Sequence, residues 1–549
     1  MVDMNADFQL LSGRTFHPDE ANQAFTTGRL LETGRYEYRP DDHHGPTLYY
    51  AAAAMQKAAG HGTVASMDGD LLRCTPLLFA VLALVFGFLA IRKLVKRSFG
   101  KLGGWLVPGI FALLLGTSPI FMFFATDFIQ EMLLACFTMA MFWAGVGYFH
   151  KPDPGHETST AKIKPGTWAL FFGIAAGLAF ATKETSLISF AAAGLAGLPL
   201  AWRFRKDMRR ETRDAVLALV GFALTAILFF SSFASNWQGV YNAFVAAPLS
   251  YLGRAAGSAA SAGAADHVHP WWQYLFWLFA DEHGLLAFFV LSGSCAGLFA
   301  RFVWLNIRPD ARARANPALL RSFLFALGYA ALLLAFYSMI PYKTPWCALQ
   351  MHVALMLAAL LGFAVAGHVF TTVGSLPPPS GCSAEWSAYI TWLGNRPRLL
   401  NALGMAPLAI VAAMLLLANC SQTVSMNRDP DSKEIPYNYA SASPEVKQLA
   451  AVVADAMDAA ANRGPQPFIA VALPPADTWP FPWYNRPYEP QTGYWTSFDD
   501  LRKIAEGGSR PTVVIVPMTE GHLVQPLFPH LKNTKRFYMR PGVRVRVFW

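Results

Sequence analysis

Charge is scarce in this chain. Only 14% of its 549 residues are Asp, Glu, Lys or Arg, against about a quarter in ordinary soluble proteins, which excludes a conventional water-soluble enzyme of this length. Cysteine is sparse too. Cys74, Cys136, Cys295, Cys347, Cys382 and Cys420 show no CxxC or zinc-knuckle spacing, and most lie in or beside apolar runs. That pattern excludes a disulfide scaffold and a cysteine metal site, and predicts unpaired thiols. The portion after Cys420 has no glycine-rich phosphate loop and no internal repeat.

Apolar residues are plentiful, at 54%, with 42 Phe and 16 Trp. Apolar stretches cover 75–95, 104–125, 129–149, 167–181, 185–202, 215–233, 284–300, 322–340, 346–370 and 399–418. A membrane crossing takes about 20 residues, so the sequence predicts an α-helical polytopic membrane protein of about ten transmembrane helices. The fourth and fifth runs are short and leave a re-entrant pair open.

A net charge of +9 would suit nucleic acid, but its placement argues otherwise. Arg92, Lys93, Lys96, Arg97 and Lys101 share one short connection, six basic residues fall in 203–213 and five in 301–321. Such connections are held in the cytoplasm by their positive charge. Alternation then places the segment before the first span, 126–130, 182–184, 236–283, 341–345 and everything after Cys420 on the outer side of the cell membrane. The expected domains are a first extracytoplasmic loop (1–72), a multi-span domain (73–420) and a soluble extracytoplasmic domain (421–549). No signal peptide or spanning helix precedes residue 17. An outward first loop needs a helix to deliver it, so a lost first helix is expected.

The last part reads as a small α/β domain. Ser443-Pro444-Glu445 combines an N-cap with proline at the first helical position, and Val446, Leu449, Ala450, Val453 and Met457 follow with helical spacing up to Gly464. Stretches 468–473 and 512–516 read as buried strands, and 543–548, alternating Val with Arg, as a half-exposed one.

Acidic and aromatic motifs gather in the outer segments. The first loop holds His17-Pro18-Asp19-Glu20 and then Tyr36 to Pro46, including Asp41, Asp42, His43, His44 and Gly45. Carboxylates beside histidine at the mouth of a bundle hold a proton or a divalent ion, or are helix caps in a solvated loop. Asp127 and Glu131 flank the start of the third span. Asp127 suits a cap, whereas Glu131 lies at or below the lipid surface, where an unpaired carboxylate is costly. Thr182-Lys183-Glu184 sets an ion pair between two apolar runs, and Lys343 sits within Pro341-Tyr342-Lys343-Thr344-Pro345-Trp346. These lysines and Arg73 either snorkel or bind a lipid phosphate. Asp266-His267-Val268-His269-Pro270-Trp271-Trp272 and Asp281-Glu282-His283 offer ligands for Mn or Zn, or an interfacial helix over 271–280. Trp479 to Tyr484, with Tyr494 and Trp495, pack the tail on the bundle or stack on sugars, packing being favoured.

Taken in order, these elements resemble family 39-type glycosyltransferases of the GT-C superfamily, the group of protein O-mannosyltransferases and aminoarabinose transferases, and most closely the flippase-activity-associated membrane proteins. The resemblance is carried by His17-Pro18-Asp19-Glu20, His44-Gly45-Pro46 with Tyr49-Tyr50, Arg73-x-x-Pro76, Glu131, Ala181-Thr182-Lys183-Glu184, Pro341 to Trp346 and Pro482-Trp483-Tyr484. It implies transfer of a sugar from a polyprenyl-phosphate donor to a glycan, lipid or protein acceptor at the outer face. Asp19 would be the base, supported by Glu20, with Glu131 as the second acid. Arg73, Lys183 and Lys343 would hold the donor phosphate, and His17, His44 and Tyr49 would line the loop that meets donor and acceptor. Asp127, Glu131, His269 and His283 are the residues for a divalent ion (Mn, Mg or Zn). The absent first helix departs from the family pattern. A lipid-linked-sugar translocator and a non-catalytic assembly subunit are the rival readings.

Overall fold

The computed structural model describes residues 13–39, 44–149, 163–201, 208–249, 267–279, 284–307, 316–378, 381–429, 431–432, 435–439, 441–461 and 466–549. The acidic stretch Asp41–His43, Asp266, Asp281–His283 and Gly464 lie outside these residues.

Two short helices open the described chain, α1 (Pro18–Thr33) and α2 (Thr47–Ala58). The α1 start is dictated locally. His17 accepts the Asp19 amide, Glu20 reaches back to the His17 amide, and Pro18 fixes the first helical φ, so orphan amide donors are satisfied on both sides of the cap.

The bundle follows: α3 (Gly69–Gly116), α4 (Pro119–Ala125), α5 (Glu131–Phe149), α6 (Pro165–Phe180), α7 (Ser186–Ala201), α8 (Met208–Phe230), α9 (Leu285–Asn306), α10 (Pro317–Met339), α11 (Ala348–Gly374) and α12 (Pro397–Arg428). Among the described residues, seven helices are long and apolar enough to cross a membrane. The first of them, α3, makes two passes. Gly100 adopts φ 67 and ψ −160, a conformation reserved for glycine, and breaks the helix there. The two halves fold back on each other, with Gly87 against Phe111 and Gly116 against Leu84. The turn lies at the basic stretch of residues 92–101, and Arg92 stacks on Trp105 across the hairpin.

Helices α6 and α7 are 16 residues each, about 24 Å by helical rise. At one end of α6 the Trp168 ring lies under the Lys93 ammonium; at the other, Ala181 accepts the Thr47 amide. The α6 helix therefore reaches from the basic connection around Lys93 to the end that holds Thr47. With α3 counted twice, each of the ten apolar stretches of the sequence is helical. Small residues set the closest approaches. A Cβ on Gly173 would meet the Ala218 carbonyl oxygen at 1.9 Å, and one on Gly362 the Gly293 oxygen at 2.1 Å, the close contacts on which helix pairs in lipid depend. At the centre stands α11, buried on nearly every side from Ala348 to Val365.

The chain then leaves the bundle for a separate α/β domain. Helix α13 (Glu445–Ala461) lays Val446, Leu449, Val453 and Met457 on a five-stranded sheet. Its strands are β1 (Ile469–Ala472), β2 (Thr492–Trp495), β3 (Val513–Pro517), β4 (Thr534–Arg540) and β5 (Val543–Phe548), in the order β2-β1-β3-β5-β4. Strand β1 runs parallel to β2 and β3, while β5 is antiparallel to β3 and β4.

One end of the bundle collects the motifs. Arg14 reaches the Thr126 carbonyl, Gly45 donates to Thr182, and Lys343 pairs by its backbone with His267. Tyr484 of the α/β domain touches Phe16. The basic connection around Arg92 lies at the opposite end.

Substituting Gly173 with valine pushes a side chain into the α8 backbone. The expected outcome is a loss of at least about 2 kcal/mol of stability, measured as a lowered thermal unfolding midpoint in detergent.

Candidate functional site

Four charged side chains form the centre of the site. Glu20 is inaccessible to solvent and accepts hydrogen bonds from Arg73 Nε at 2.9 Å, Arg73 Nη2 at 2.7 Å, the His17 amide at 2.9 Å and the Phe128 amide at 2.9 Å. Arg73 also donates from Nη1 to the Arg14 carbonyl at 2.9 Å. Arg14 itself donates to Asp127 Oδ1 at 3.1 Å. Burial alone would raise the Glu20 pKa, but the Arg73 charge and hydrogen bonds, then Arg14, bring it down to about 2. Burial, then the neighbouring Glu20 charge, pushes Asp127 up. The Asp127 carboxylate faces Arg14 instead of capping α5.

Asp19, one residue away, is placed differently. Its side chain is 50% exposed, and its one ion-pair contact among the described residues is His17 Nδ1 at 3.8 Å. Because Nδ1 accepts the Asp19 amide at 3.1 Å, the ring proton sits on Nε2, which donates to the Tyr439 carbonyl at 3.0 Å. His17 is therefore held in one orientation. Asp19 and His17 line a small recess, of about 20 Å³, with Arg14, Asp127, Trp346 and Tyr439.

A second pair lies on the next elements. Lys183 Nζ donates to Glu131, both buried, and the Glu131 carbonyl accepts Gln350 Nε2 at 3.0 Å. Burial would lower the ammonium's pKa, but the Glu131 charge and hydrogen bond, together with Cys347 and Glu184, hold it above its ordinary range. Glu184, the next residue, turns the other way. His44 Nδ1 lies 2.9 Å from its Oε2, and Tyr38 donates to Oε1. Burial opposes its ionisation, yet His44 and Tyr38 bring its pKa below the usual value. Lys183 and Glu184, expected as an ion pair with each other, thus find their main partners elsewhere.

The packing of His44-Gly45-Pro46 against the 181–182 backbone has a steric requirement. The Gly45 amide donates to the Thr182 carbonyl at 3.1 Å, and a Cβ on Gly45 would lie 2.2 Å from the Ala181 oxygen. Only glycine permits that approach. Tyr49 stacks on Tyr36 at 4.9 Å and donates to Gln23. Lys343 is buried, with its ammonium on the Ile340 carbonyl. Its strand is bridged to 267–269 through Val268 and Tyr342.

The expected metal ligands do not converge. Among the described residues no group of three or more His, Cys, Asp or Glu is close enough to hold an ion. Asp127 is engaged by Arg14 and Glu131 by Lys183. His269 has a buried Nε2 without a hydrogen-bond partner, but its ring packs on Trp277 and Tyr439. His283 lies outside the described residues. Among the described residues, Asp127, Glu131 and His269 are not gathered into one such group.

Sequence reasoning missed three contributors. Arg14 carries no motif beyond its place just before the first-loop acids. Tyr38 was submerged in a polar loop. Tyr439 lies in the linker to the α/β domain, where its aromatic neighbour Tyr437 was the available signal.

No protein-family model matches this chain, and no curated protein does. Solved structures do resemble it. ArnT from Cupriavidus metallidurans bound to undecaprenyl phosphate superposes with a TM-score of 0.58 at 16% identity, over 99% of this chain and 96% of that one. The same protein in the apo state gives 0.57 at 16% identity over 100% and 96%. The Archaeoglobus fulgidus oligosaccharyltransferase in its apo form gives 0.51 at 11% identity over 94% and 68%. What this chain shares with them is the fold.

Two measurements probe the central pair. Arg73→Met strands a buried carboxylate and should cost about 3–5 kcal/mol in unfolding free energy. Because Glu20 is more acidic in the folded chain, its contribution is complete above the ordinary carboxylate pKa of 4.5 and fades as pH falls toward about 2. Unfolding titrations across that window should show an acid limb that Glu20→Gln removes.

Proposed function

We propose that the chain is a membrane glycosyltransferase that moves a sugar from a polyprenyl-phosphate donor to a hydroxyl-bearing lipid, glycan or protein acceptor at the outer face of the cell membrane. The observation that carries this reading is the division of labour between adjacent carboxylates. Glu20 is buried and saturated with donors, whereas Asp19 is half-exposed in a recess beside an oriented histidine. An accessible carboxylate on a rigid seat suits a general base.

Asp19 takes the proton of the acceptor hydroxyl as its oxygen attacks the anomeric carbon. The bond from that carbon to the phosphate oxygen breaks, and the polyprenyl phosphate departs with the electron pair. Lys183 and Lys343 supply positive charge for the phosphate, which stabilises the leaving group as charge develops on it. Glu131 sets the position of Lys183. Arg73 and Glu20 receive a seating role in this mechanism in place of direct contact with the donor. His17 fixes the start of α1, His44 holds the first loop against the 181–184 turn through Glu184, and Tyr49 ties α2 to α1 through Gln23. The bundle resembles that of ArnT, which was solved with undecaprenyl phosphate, and this likeness supports a lipid-phosphate donor. The outward placement rests on the basic connections at the opposite end.

Asp19→Asn should lower sugar transfer by about 10²–10⁴-fold with the thermal midpoint unchanged. The assay incubates purified protein with a panel of polyprenyl-phosphate sugars and follows release of polyprenyl phosphate. Wild-type turnover in the variant would refute Asp19 as the base, and donor movement across vesicles without acceptor-dependent release would favour translocation.

A further inference from the structure

The α/β domain makes an unusual contact with the first-loop motif. Its segment Phe481–Tyr484 is a single helical turn, and two consecutive residues of it grip Phe16. The Trp483 indole stacks on the Phe16 ring at 4.8 Å and an interplanar angle of 18°. Tyr484 Oη accepts the Phe16 amide at 2.8 Å.

These contacts belong to a continuous run. The Arg73 guanidinium, already bidentate on Glu20, lies 4.4 Å from the Phe16 ring centroid. The Arg486 guanidinium lies 4.1 Å from that of Trp483 and donates to the Met67 carbonyl at 3.1 Å. Two aromatic rings are thus in contact with two cations, each of which has further polar partners. Such cation–π contacts gain strength when removed from water, and Phe16 and Trp483 are both buried. Gly69 leaves room for them, since a Cβ there would touch Phe16 at 3.2 Å and Trp483 at 3.4 Å. The domain also holds the preceding residues. Asp431, in the linker, accepts the Thr15 amide at 3.1 Å, and Lys447 on α13 donates to the Gly13 carbonyl at 3.0 Å.

We infer that Trp483 and Tyr484 are positioning residues for Asp19, so that the carboxy-terminal domain is a working part of the site in the membrane bundle. Residues Gly13 to Phe16 form the approach to α1, and Asp19 is at the second position of that helix. Released from Trp483 and Tyr484, Phe16 loses its stacking partner and the acceptor of its amide, while Gly13, Arg14 and Thr15 keep Lys447, Asp127 and Asp431. The first turn of α1 then samples more than one orientation, and the exposed Asp19 loses its fixed place. The inference rests on the proposed role of Asp19, and its first test does not.

Full-length protein in nanodiscs is compared with Trp483→Ala, Trp483→Phe and Tyr484→Phe by amide hydrogen exchange. Tyr484→Phe keeps the ring and removes the acceptor of the Phe16 amide, so it reports even if Trp483→Ala loosens the domain. Exchange in the 13–21 peptide should rise by about tenfold in Trp483→Ala and Tyr484→Phe, while peptides of α5, α11 and β3 stay at wild-type rates. Undecaprenyl phosphate binding should stay within about twofold, whereas transfer kcat falls about tenfold with donor KM unchanged. Trp483→Phe should restore most of both. Unchanged exchange at 13–21 overturns the inference whatever Asp19 does. Raised exchange with undiminished kcat also overturns it. If Asp19→Asn retains turnover while the exchange result holds, the catalytic reading fails and the clamp on residues 13–21 stands.

Discussion

The buried ion pair of Glu20 and Arg73 is the constraint on which the rest of the site depends. A carboxylate and a guanidinium removed from water are tolerable only if each finds a full set of polar partners, because a partly satisfied pair is worse than none. Here the partners come from separate parts of the chain: α1 supplies Glu20, α3 supplies Arg73, the turn before α5 supplies the Phe128 amide, and the strand before α1 supplies the Arg14 carbonyl. Satisfying one pair therefore fixes four segments at once. The neighbouring Asp19, which takes no share in that network, inherits a rigid base.

The same logic recurs beside it. Glu131 with Lys183 and Glu184 with His44 are further charged contacts, each made across elements. Buried charges at the rim of a membrane bundle are maintained only in company, and the company defines which loops meet. Elsewhere the bundle is held by shape, with glycines of α6, α9 and α11 set against neighbouring backbone. Polar contacts thus define one end of the molecule, and close steric fit defines its middle.

Much of the architecture was legible because hydropathy is a strong signal. The ten apolar stretches, the basic connection at Gly100 and the helix beginning at Glu445 all follow from periodicity and charge. Strands β2 and β4 were not legible. Thr492–Trp495 is four residues long, and Thr534–Arg540 carries three basic residues on a sheet edge, where charge protects against mispairing but hides the strand. At the site, the residue types were readable while their partners were not. Lys183 beside Glu184 suggests a local pair, yet consecutive residues at a turn point apart, and only the folded chain shows Glu131 and His44 as their counterparts. The same holds for acids that look available in sequence: Asp127 and Glu131 already have Arg14 and Lys183 beside them in space.

The hydrogen bond between Phe16 and Tyr484 joins residues 468 positions apart. A ribosome delivering this chain into a bilayer makes His17 to Glu20 before any helix of the bundle, and Tyr484 only after the last of them, Pro397–Arg428. A nascent chain that has reached only the end of the bundle therefore carries the acids without their complete seat, and the site matures after the membrane helices have been made.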